Sequence, residues 1–358
     1  MGSAEAISWE LAERVAVRVA GHEPLADSYH YASLAPDFAE LTEEAEALVE
    51  AATGLRSAAG PARARVTDRP GWIHANIASF QRLLRPITEK VGPRLDASPM
   101  APVSRAVTGA QLGTMLGWMS SRVLGQYDLL LIEEERPEDQ DIVYFVGPNV
   151  LALEKRFGFP PREFRLWLAL HEVTHRMQFT GVPWLRPHFL SLVEGCVDAV
   201  DPDPRRLAEA LRRAVDEMRA GRNPLADGGL VALLAGPEQK AKLDQIGGLM
   251  SLLEGHGDVT MDRAGADVIP SAPRFSRVLH QRRAEAKGAS RLLRQLVGLE
   301  AKLKQYEQGE RFIEAVEAES GSLLDNVWRG AEWLPDLAEI REPRRWVERV
   351  RAATAVAG

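Results

Sequence analysis

The segment FRLWLALHEVTHRMQF, residues 164–179, limits the possible folds of this chain most strongly, because it contains the motif H-E-V-T-H. Residues four apart in an α-helix lie on the same face, one turn above the other. In a helix, His171 and His175 can therefore direct their imidazoles at one zinc ion. Glu172 can then reach a water molecule held by that ion. Two prolines just before the segment favour a helix that starts there.

A simpler interpretation of the same segment is that its two histidines are ordinary core residues of an apolar helix. That interpretation leaves Glu172 buried without a purpose, and burying a carboxylate without partners costs free energy. The sequence therefore favours a metal site.

A catalytic zinc usually has three protein ligands and one open position, so the motif needs one more ligand. Two glutamates are candidates, Glu194 in FLSLVEGCVDAV and Glu254 in LMSLLEGHGDVTMD. Each has an aspartate four positions later, which could accept the second ring N–H of a ligand histidine and fix its tautomer. Spacing alone does not choose between the two. The glycines around Glu254 favour it, because small residues would let its helix approach the metal closely.

A zinc site of this kind activates a bound water, and Glu172 would act as the general base that takes its proton. An additional donor should stabilise the oxyanion that forms. His256 and Tyr306 are the candidates, although each could equally be a packing residue.

Most of the remaining sequence has a helical pattern. Ser8 to Gly21 and Asp37 to Gly54 are amphipathic and end at a glycine. Residues 55–71 lose periodicity and are predicted to be a loop, and residues 72–92 resume a helix that Pro86 kinks or breaks. After the motif, the predicted helices are Pro187–Val200, Arg205–Ala220, Pro237–Ile246, Leu249–Met261, Phe275–Val297 and Leu299–Glu319, with a Gly-Gly break at 247–248.

Two other patterns stand before the motif. The first is a repeat of small residues at every fourth position: Gly109, Gly113, Gly117, Ser121 and Gly125. On a helix these residues form one stripe, which predicts that a second helix packs closely against it. The runs YDLLLI and DIVYFVG are rich in β-branched and aromatic residues and are separated by a polar stretch, so they predict an antiparallel hairpin. The DIVYFVG run could also supply an open sheet edge, along which a peptide substrate would bind as an added strand. Packing of the two strands on the helical core would explain the run equally well.

The composition excludes several classes of protein. The formal net charge of −7 argues against sequence-independent binding of nucleic acid, which needs a cationic face. The single cysteine, Cys196, permits no intrachain disulfide and suits a reducing compartment. We see neither a signal peptide nor an apolar run long enough to span a membrane, so we expect a cytoplasmic protein without a membrane or nucleic-acid partner. The sequence leaves the oligomeric state open.

Three segments of the chain together resemble a bacterial zincin-like family of suspected zinc-dependent metallopeptidases, also catalogued as coenzyme F420 biosynthesis-associated proteins. They read HEVTHRMQF, PWLRPHFL and LLEGHGDVTMD, and the similarity extends from about Gly109 to about Glu342. The resemblance implies a gluzincin site with His171, His175 and Glu254 as zinc ligands. It further implies Glu172 as the base, and Asp258 as the residue that orients a ligand.

From the residues and this resemblance together, we expect an α+β protein that is mainly α-helical, with a zincin-like (gluzincin) core and a small antiparallel sheet. Residues 1–100 should form a helical region packed on a core of residues 101–358. The expected activity is that of a zinc metallopeptidase acting on peptides or proteins. The alternatives are a zinc-containing scaffold without turnover and a zinc hydrolase of small non-peptide amides.

Overall fold

The computed structural model describes residues 6–23, 25–96, 99–127, 129, 141–198, 212, 237–284 and 299–357. Contacts within the chain divide it into two compact units. The first consists of Met1–Gly181 and Thr260–His280, and the second of Val182–Val259 and Gln281–Gly358. Residues 1–100 share the first unit with residues 101–181, and the predicted division at residue 100 stays a prediction.

In its described residues, the N-terminal part of the first unit contains six helices and a small sheet. The helices are α1 (Trp9–Ala20), α2 (Tyr29–Thr53), α3 (Arg69–Asp96), α4 (Ala101–Ser120), α5 (Gly147–Phe157) and α6 (Pro161–Gly181). The strands are β1 (Arg63–Thr67), β2 (Gly125–Tyr127) and β3 (Ile142–Val146). The predicted ends of α1 and α2 are confirmed, because Gly21 and Gly54 follow them with φ angles of +67° and +72°. Helix α3 runs through Pro86 as one helix.

The sheet has the strand order β1-β3-β2, with β3 in the centre. Strand β2 runs antiparallel to β3, with Tyr127 opposite Val143, whereas β1 runs parallel to β3, with Arg63 opposite Ile142. A mainly helical protein with a small sheet is therefore confirmed, but the sheet is mixed. The prediction of a loop at 55–71 was wrong, because residues 63–67 form strand β1. The strand is only five residues long and lies between glycines and prolines, which hide its pattern.

The predicted hairpin is partly correct. Its antiparallel pairing is present, but β2 begins at Gly125 and most of the YDLLLI run lies outside the described residues. The open-edge prediction for DIVYFVG was wrong. Strand β3 has a neighbour on each side, so its backbone offers no open edge for an added strand.

The glycines of α4 pack directly on α1, as the four-residue repeat predicts. A methyl group on Gly109, Gly113 or Gly117 would overlap the backbone carbonyls of Ser8, Ala12 and Ala16, in that order. Because the three contacts advance in step along both helices, α1 and α4 lie side by side and parallel. Gly125 was wrongly included in this repeat: α4 ends at Ser120, and Gly125 begins β2.

The second unit is helical in the part that the structure describes. Its helices are α7 (Leu185–Asp198), α8 (Pro237–Gly265), α10 (Leu299–Glu319), α11 (Leu337–Arg341) and α12 (Pro343–Ala357). The last residues of α8 belong to the first unit. Two 3-10 helices, Gly321–Trp328 and Ala331–Trp333, lie between α10 and α11. Helix α9 (Ala272–Ala284) starts in the first unit. The predicted helix at 205–220 lies outside the described residues apart from residue 212, as does the predicted stretch from 285 to 297.

The Gly-Gly pair in α8 is a packing point and not the predicted break. Helix α8 is continuous through Gly247 and Gly248, and a methyl group on Gly248 would overlap the backbone of Pro335 and Asp336. The core of this unit lies beside it and includes Leu252, Phe312, Ile313, Val316, Trp346 and Val350.

Among the described residues, no helix is both long enough and apolar enough to cross a membrane.

Candidate metal centre

Helix α6 carries the H-E-V-T-H motif in one uninterrupted helix from Pro161 to Gly181. Its side chains are buried around almost the whole circumference, and His171 and His175 are half-buried. The two Nε2 atoms lie 3.2 Å apart, and the two rings are nearly perpendicular, at 86°. The structure thus brings the two imidazoles together at one point, as the spacing predicts.

A neighbouring amide contacts the ring of His175. Nδ1 of the ring lies 3.0 Å from Oε1 of Gln178. Because an amide oxygen only accepts hydrogen bonds, this contact fits the tautomer that carries its proton on Nδ1 and leaves the lone pair on Nε2. Nε2 of His175 faces Nε2 of His171. The ring is therefore oriented with the nitrogen that would bind a metal toward the other histidine.

The spacing of the two nitrogens fits a zinc ion. Two nitrogens bound tetrahedrally at 2.0–2.1 Å would lie about 3.4 Å apart. The observed separation of the Nε2 atoms is 3.2 Å. The two histidines therefore fit the zinc that the sequence predicts.

The carboxylate of Glu172 is held against strand β2. It is 9% exposed, and its Oε2 accepts a hydrogen bond of 3.0 Å from the backbone N–H of Tyr127. A methyl group on Gly125 would lie 2.6 Å from Cγ and 2.8 Å from Oε1 of Glu172. Because Tyr127 N–H points at Glu172, it points away from β3, and this edge of the sheet faces the motif helix.

Side-chain hydrogen bonds fix β2 in place on both sides. Trp72 Nε1 donates to Gln126 Oε1 at 2.8 Å, and Gln126 Nε2 donates to Asn76 Oδ1 at 3.3 Å. The hydroxyl of Tyr127 donates to Asp141 Oδ1 at 3.0 Å. The short strand that contacts Glu172 is therefore anchored by side chains from α3 and from the residue that precedes β3.

Arg176, which directly follows the second histidine, anchors the middle of α6. Its side chain is fully buried. It donates to Asp141 Oδ2 from Nε and Nη2, at 2.9 and 2.6 Å, and from Nη1 to Glu46 Oε1 at 2.7 Å. Nη2 also donates to the carbonyl of Gly60 at 2.7 Å. Asp141 thus joins Arg176 to Tyr127, and so the motif helix to the strand that contacts Glu172.

A second buried ion pair anchors the start of α6. Arg165 donates to Glu154 through Nε and Nη2, at 2.8 and 2.9 Å, and also pairs with Asp37. Burial raises the pKa of the Glu154 carboxyl, and the hydrogen bonds from Arg165 oppose that rise. The first turns of α6 are thereby fixed to α5 and α2.

The other predicted residues lie in the second unit. Glu254 is 7% exposed on α8, whereas Glu194 is exposed on α7. His256 is also buried, and its ring meets that of Trp328 edge to face at a centroid distance of 5.0 Å. Asp258 is half-buried. Their chemical roles stay predictions.

Tyr306, a predicted oxyanion donor, lies in α10, but its side chain is outside the described residues.

Gly255, which follows Glu254, has a packing role that differs from the predicted close approach to the metal. A methyl group on Gly255 would overlap the backbone of Gly309, so this glycine allows α8 and α10 to pack closely.

The roles of Gly125, Tyr127 and Gln178 were not predicted from the sequence. Gly125 and Tyr127 are far from the motif in sequence, and only the fold brings them to Glu172. Gln178 did carry a local signal. A side-chain oxygen three residues after a histidine lies on the same helical face and can accept its second N–H.

Comparison with known proteins agrees with this geometry. A family model described as zincin-like metallopeptidase matches residues 7–347. The chain belongs to this family. The resemblance predicted from the sequence motifs is thereby confirmed.

A solved structure is similar over almost the entire chain. It is the crystal structure of a suspected hydrolase with a novel fold from Chloroflexus aurantiacus, with a TM-score of 0.69 and 32% sequence identity. The match covers 96% of this chain and 99% of that one. A search of curated proteins gives no match. The family and this neighbour together support a hydrolase, and the family implies a bound metal, with zinc as the expected ion.

Proposed function

We propose that this member of the zincin-like family is a zinc-dependent peptidase of the gluzincin type. In this proposal one catalytic zinc is bound by His171, His175 and Glu254, and Glu172 is the general base. One observation supports the proposal most strongly. The Nε2 atoms of His171 and His175 lie 3.2 Å apart, on the same helix as the buried Glu172. Two nitrogens and one carboxylate are a known ligand set for catalytic zinc.

Burial supports Glu254 over Glu194 as the third ligand. Glu254 is 7% exposed, and a buried carboxylate needs a cation or donors to offset its desolvation. Glu194 is exposed, and water can solvate it.

In the proposed reaction, a bound zinc supplies a Lewis acid that polarises the scissile carbonyl and makes water acidic enough to lose a proton near neutral pH. The carboxylate of Glu172 takes that proton and passes it to the leaving amine. Tyr127 N–H keeps the carboxylate in position through its hydrogen bond to Oε2. His256 and Tyr306 stay candidates for the oxyanion donor.

We further propose that the substrate is a peptide or protein. The matching family is described as zincin-like metallopeptidase, and the proposed base and zinc ligands are the groups that hydrolysis of a peptide amide requires. The outward N–H of Tyr127 serves Glu172 and not the peptide.

The proposal is tested by metal analysis and cleavage assays on the purified protein. We expect one zinc per chain and cleavage of casein or of a peptide library. Glu172→Gln should keep its zinc and lose cleavage by a factor of about a hundred or more, because the base is removed and the ligands are not. Glu254→Gln should lose zinc affinity, and the matched variant Glu194→Gln should not.

Other outcomes would point to the alternatives. Stoichiometric zinc with equal inactivity of wild type and Glu172→Gln would support a zinc-containing scaffold. Cleavage of small amides alone would support a non-peptide amide hydrolase. A wild-type protein that binds no transition metal would contradict the proposal itself.

A further inference from the structure

We propose that Gln178 is a positioning residue for the metal centre. Its amide oxygen holds His175 in the tautomer with the proton on Nδ1 and thereby sets the affinity for zinc. This inference rests on the proposed function, because it assumes that His175 is a zinc ligand. It extends the motif from H-E-x-x-H to H-E-x-x-H-x-x-Q.

The geometry places Gln178 where such a residue must be. It lies three residues after His175 on the same helix, and its Oε1 is 3.0 Å from Nδ1 of the ring. The glutamine side chain is fully buried. A buried amide cannot exchange its partner for water, so the hydrogen bond persists and the ring keeps one orientation.

The consequence for the metal follows from the chemistry of imidazole. A neutral ring has one proton, and a nitrogen that carries it cannot bind zinc. With the proton held on Nδ1, the lone pair of Nε2 faces His171. Without an acceptor at Nδ1, the ring could place its proton on Nε2 or rotate, and both changes oppose metal binding.

This assignment also changes the expected role of Asp258. The sequence motif suggested an aspartate as acceptor for the second N–H of a ligand histidine. For His175 that position is taken by Gln178. An amide oxygen is a weaker acceptor than a carboxylate, so it raises the basicity of the ring less.

The first experiment measures the tautomer without any metal. Protein labelled with nitrogen-15 at its eight histidines is examined by long-range proton–nitrogen NMR at pH 8, with His175 assigned from His175→Asn. We expect the wild type to carry its proton on Nδ1. Gln178→Met, which keeps the length of the side chain but removes the oxygen, should show a mixture of tautomers or the opposite one.

The second experiment measures zinc affinity by competition with a chromophoric chelator. Gln178→Met should bind zinc about 10–100-fold more weakly, as is typical for loss of a partner that orients a ligand. Gln178→Glu restores an acceptor and should bind at least as tightly as the wild type. Thr174→Val is the matched control, because Thr174 is also fully buried on α6, and its hydroxyl donates to the carbonyl of Leu170 on the same helix.

The outcomes separate this inference from the proposed function. An unchanged tautomer in Gln178→Met, or equal losses in Gln178→Met and Gln178→Glu, would overturn the inference and assign Gln178 to packing alone. A wild type that holds the Nδ1–H tautomer but binds no zinc would instead overturn the proposed function. The inference is supported when the tautomer and the zinc affinity change together and Gln178→Glu restores both.

Discussion

At the scale of single residues, Gly125 controls the position of the proposed base. A methyl group there would lie 2.6 Å from Cγ of Glu172, which is far inside van der Waals contact. Gly125→Ala should therefore displace the carboxylate without touching either histidine. We expect kcat to fall about 10–100-fold, because a displacement on the order of 1 Å at a reacting group has such an effect. Zinc content should stay unchanged.

The matched control for that variant is Gly321→Ala. Gly321 has open space where a methyl group would be added. The Gly321→Ala variant should therefore keep the activity and zinc content of the wild type, measured with the same substrate and by the same metal analysis. Full activity in Gly125→Ala would show that the contact between Gly125 and Glu172 does not matter for the reaction.

Individual residues also show which parts of the centre a sequence can predict. The pairing of His171 and His175 depends only on helical spacing, and it was predictable for that reason. The contacts of Glu172 with Gly125 and Tyr127 depend on a strand about 45 residues away, and no local pattern indicates them. Gly125 even matched the four-residue repeat of α4 and was misassigned to it.

At the scale of secondary-structure elements, the position of α6 depends on Arg176 and its two carboxylate partners. Arg176 is fully buried and pairs with Glu46 of α2 and with Asp141. Arg176→Met would leave both carboxylates without their cation in a buried environment. We expect the free energy of unfolding to fall by about 3–5 kcal/mol. Urea denaturation followed by circular dichroism measures this change.

Arg162 provides a control on the same pair of helices. It also joins α6 to glutamates of α2, Glu40 and Glu44, but its side chain is 62% exposed. Water already solvates these charges, so Arg162→Met should lower the free energy of unfolding by less than about 1 kcal/mol. Equal losses in the two variants would contradict the view that burial makes the Arg176 contacts important.

Strand β1 shows why elements were harder to predict than residue spacings. Most helices were identified because long amphipathic periods are strong signals, and the bounds of α10 were predicted correctly. The sequence R-A-R-V-T of β1 is short, and its arginines suggest a solvated loop. It becomes a strand because β3 offers it a parallel partner, which is a tertiary effect.

At the scale of the whole molecule, the mainly helical fold and the family followed from the sequence, whereas the two compact units did not. The boundary falls within α8, which is helical from Pro237 to Gly265 and contributes residues to both units. Nothing in the composition changes at residues 259–260. Division of a chain by its contacts depends on packing, and a single sequence does not reveal packing directly.

Zinc should stabilise the folded molecule in proportion to its affinity. The proposed ligands come together only when the chain folds, so zinc should bind the folded chain and not the unfolded one. A ligand present at a thousand times its Kd adds about 4 kcal/mol to the free energy of unfolding. Removal of zinc with a chelator should therefore lower the Tm of the wild type.

Three variants show which side chains contribute to that stabilisation, measured as the difference in Tm with and without zinc. Glu172→Gln should keep the full difference, because a base adjacent to the metal is not a ligand. Glu254→Gln should lose most of it, and Glu194→Gln should keep it. The opposite result for the two glutamates would make Glu194 the third ligand. Because the measurement needs no substrate, it tests the ligand set whether or not the reaction has been found.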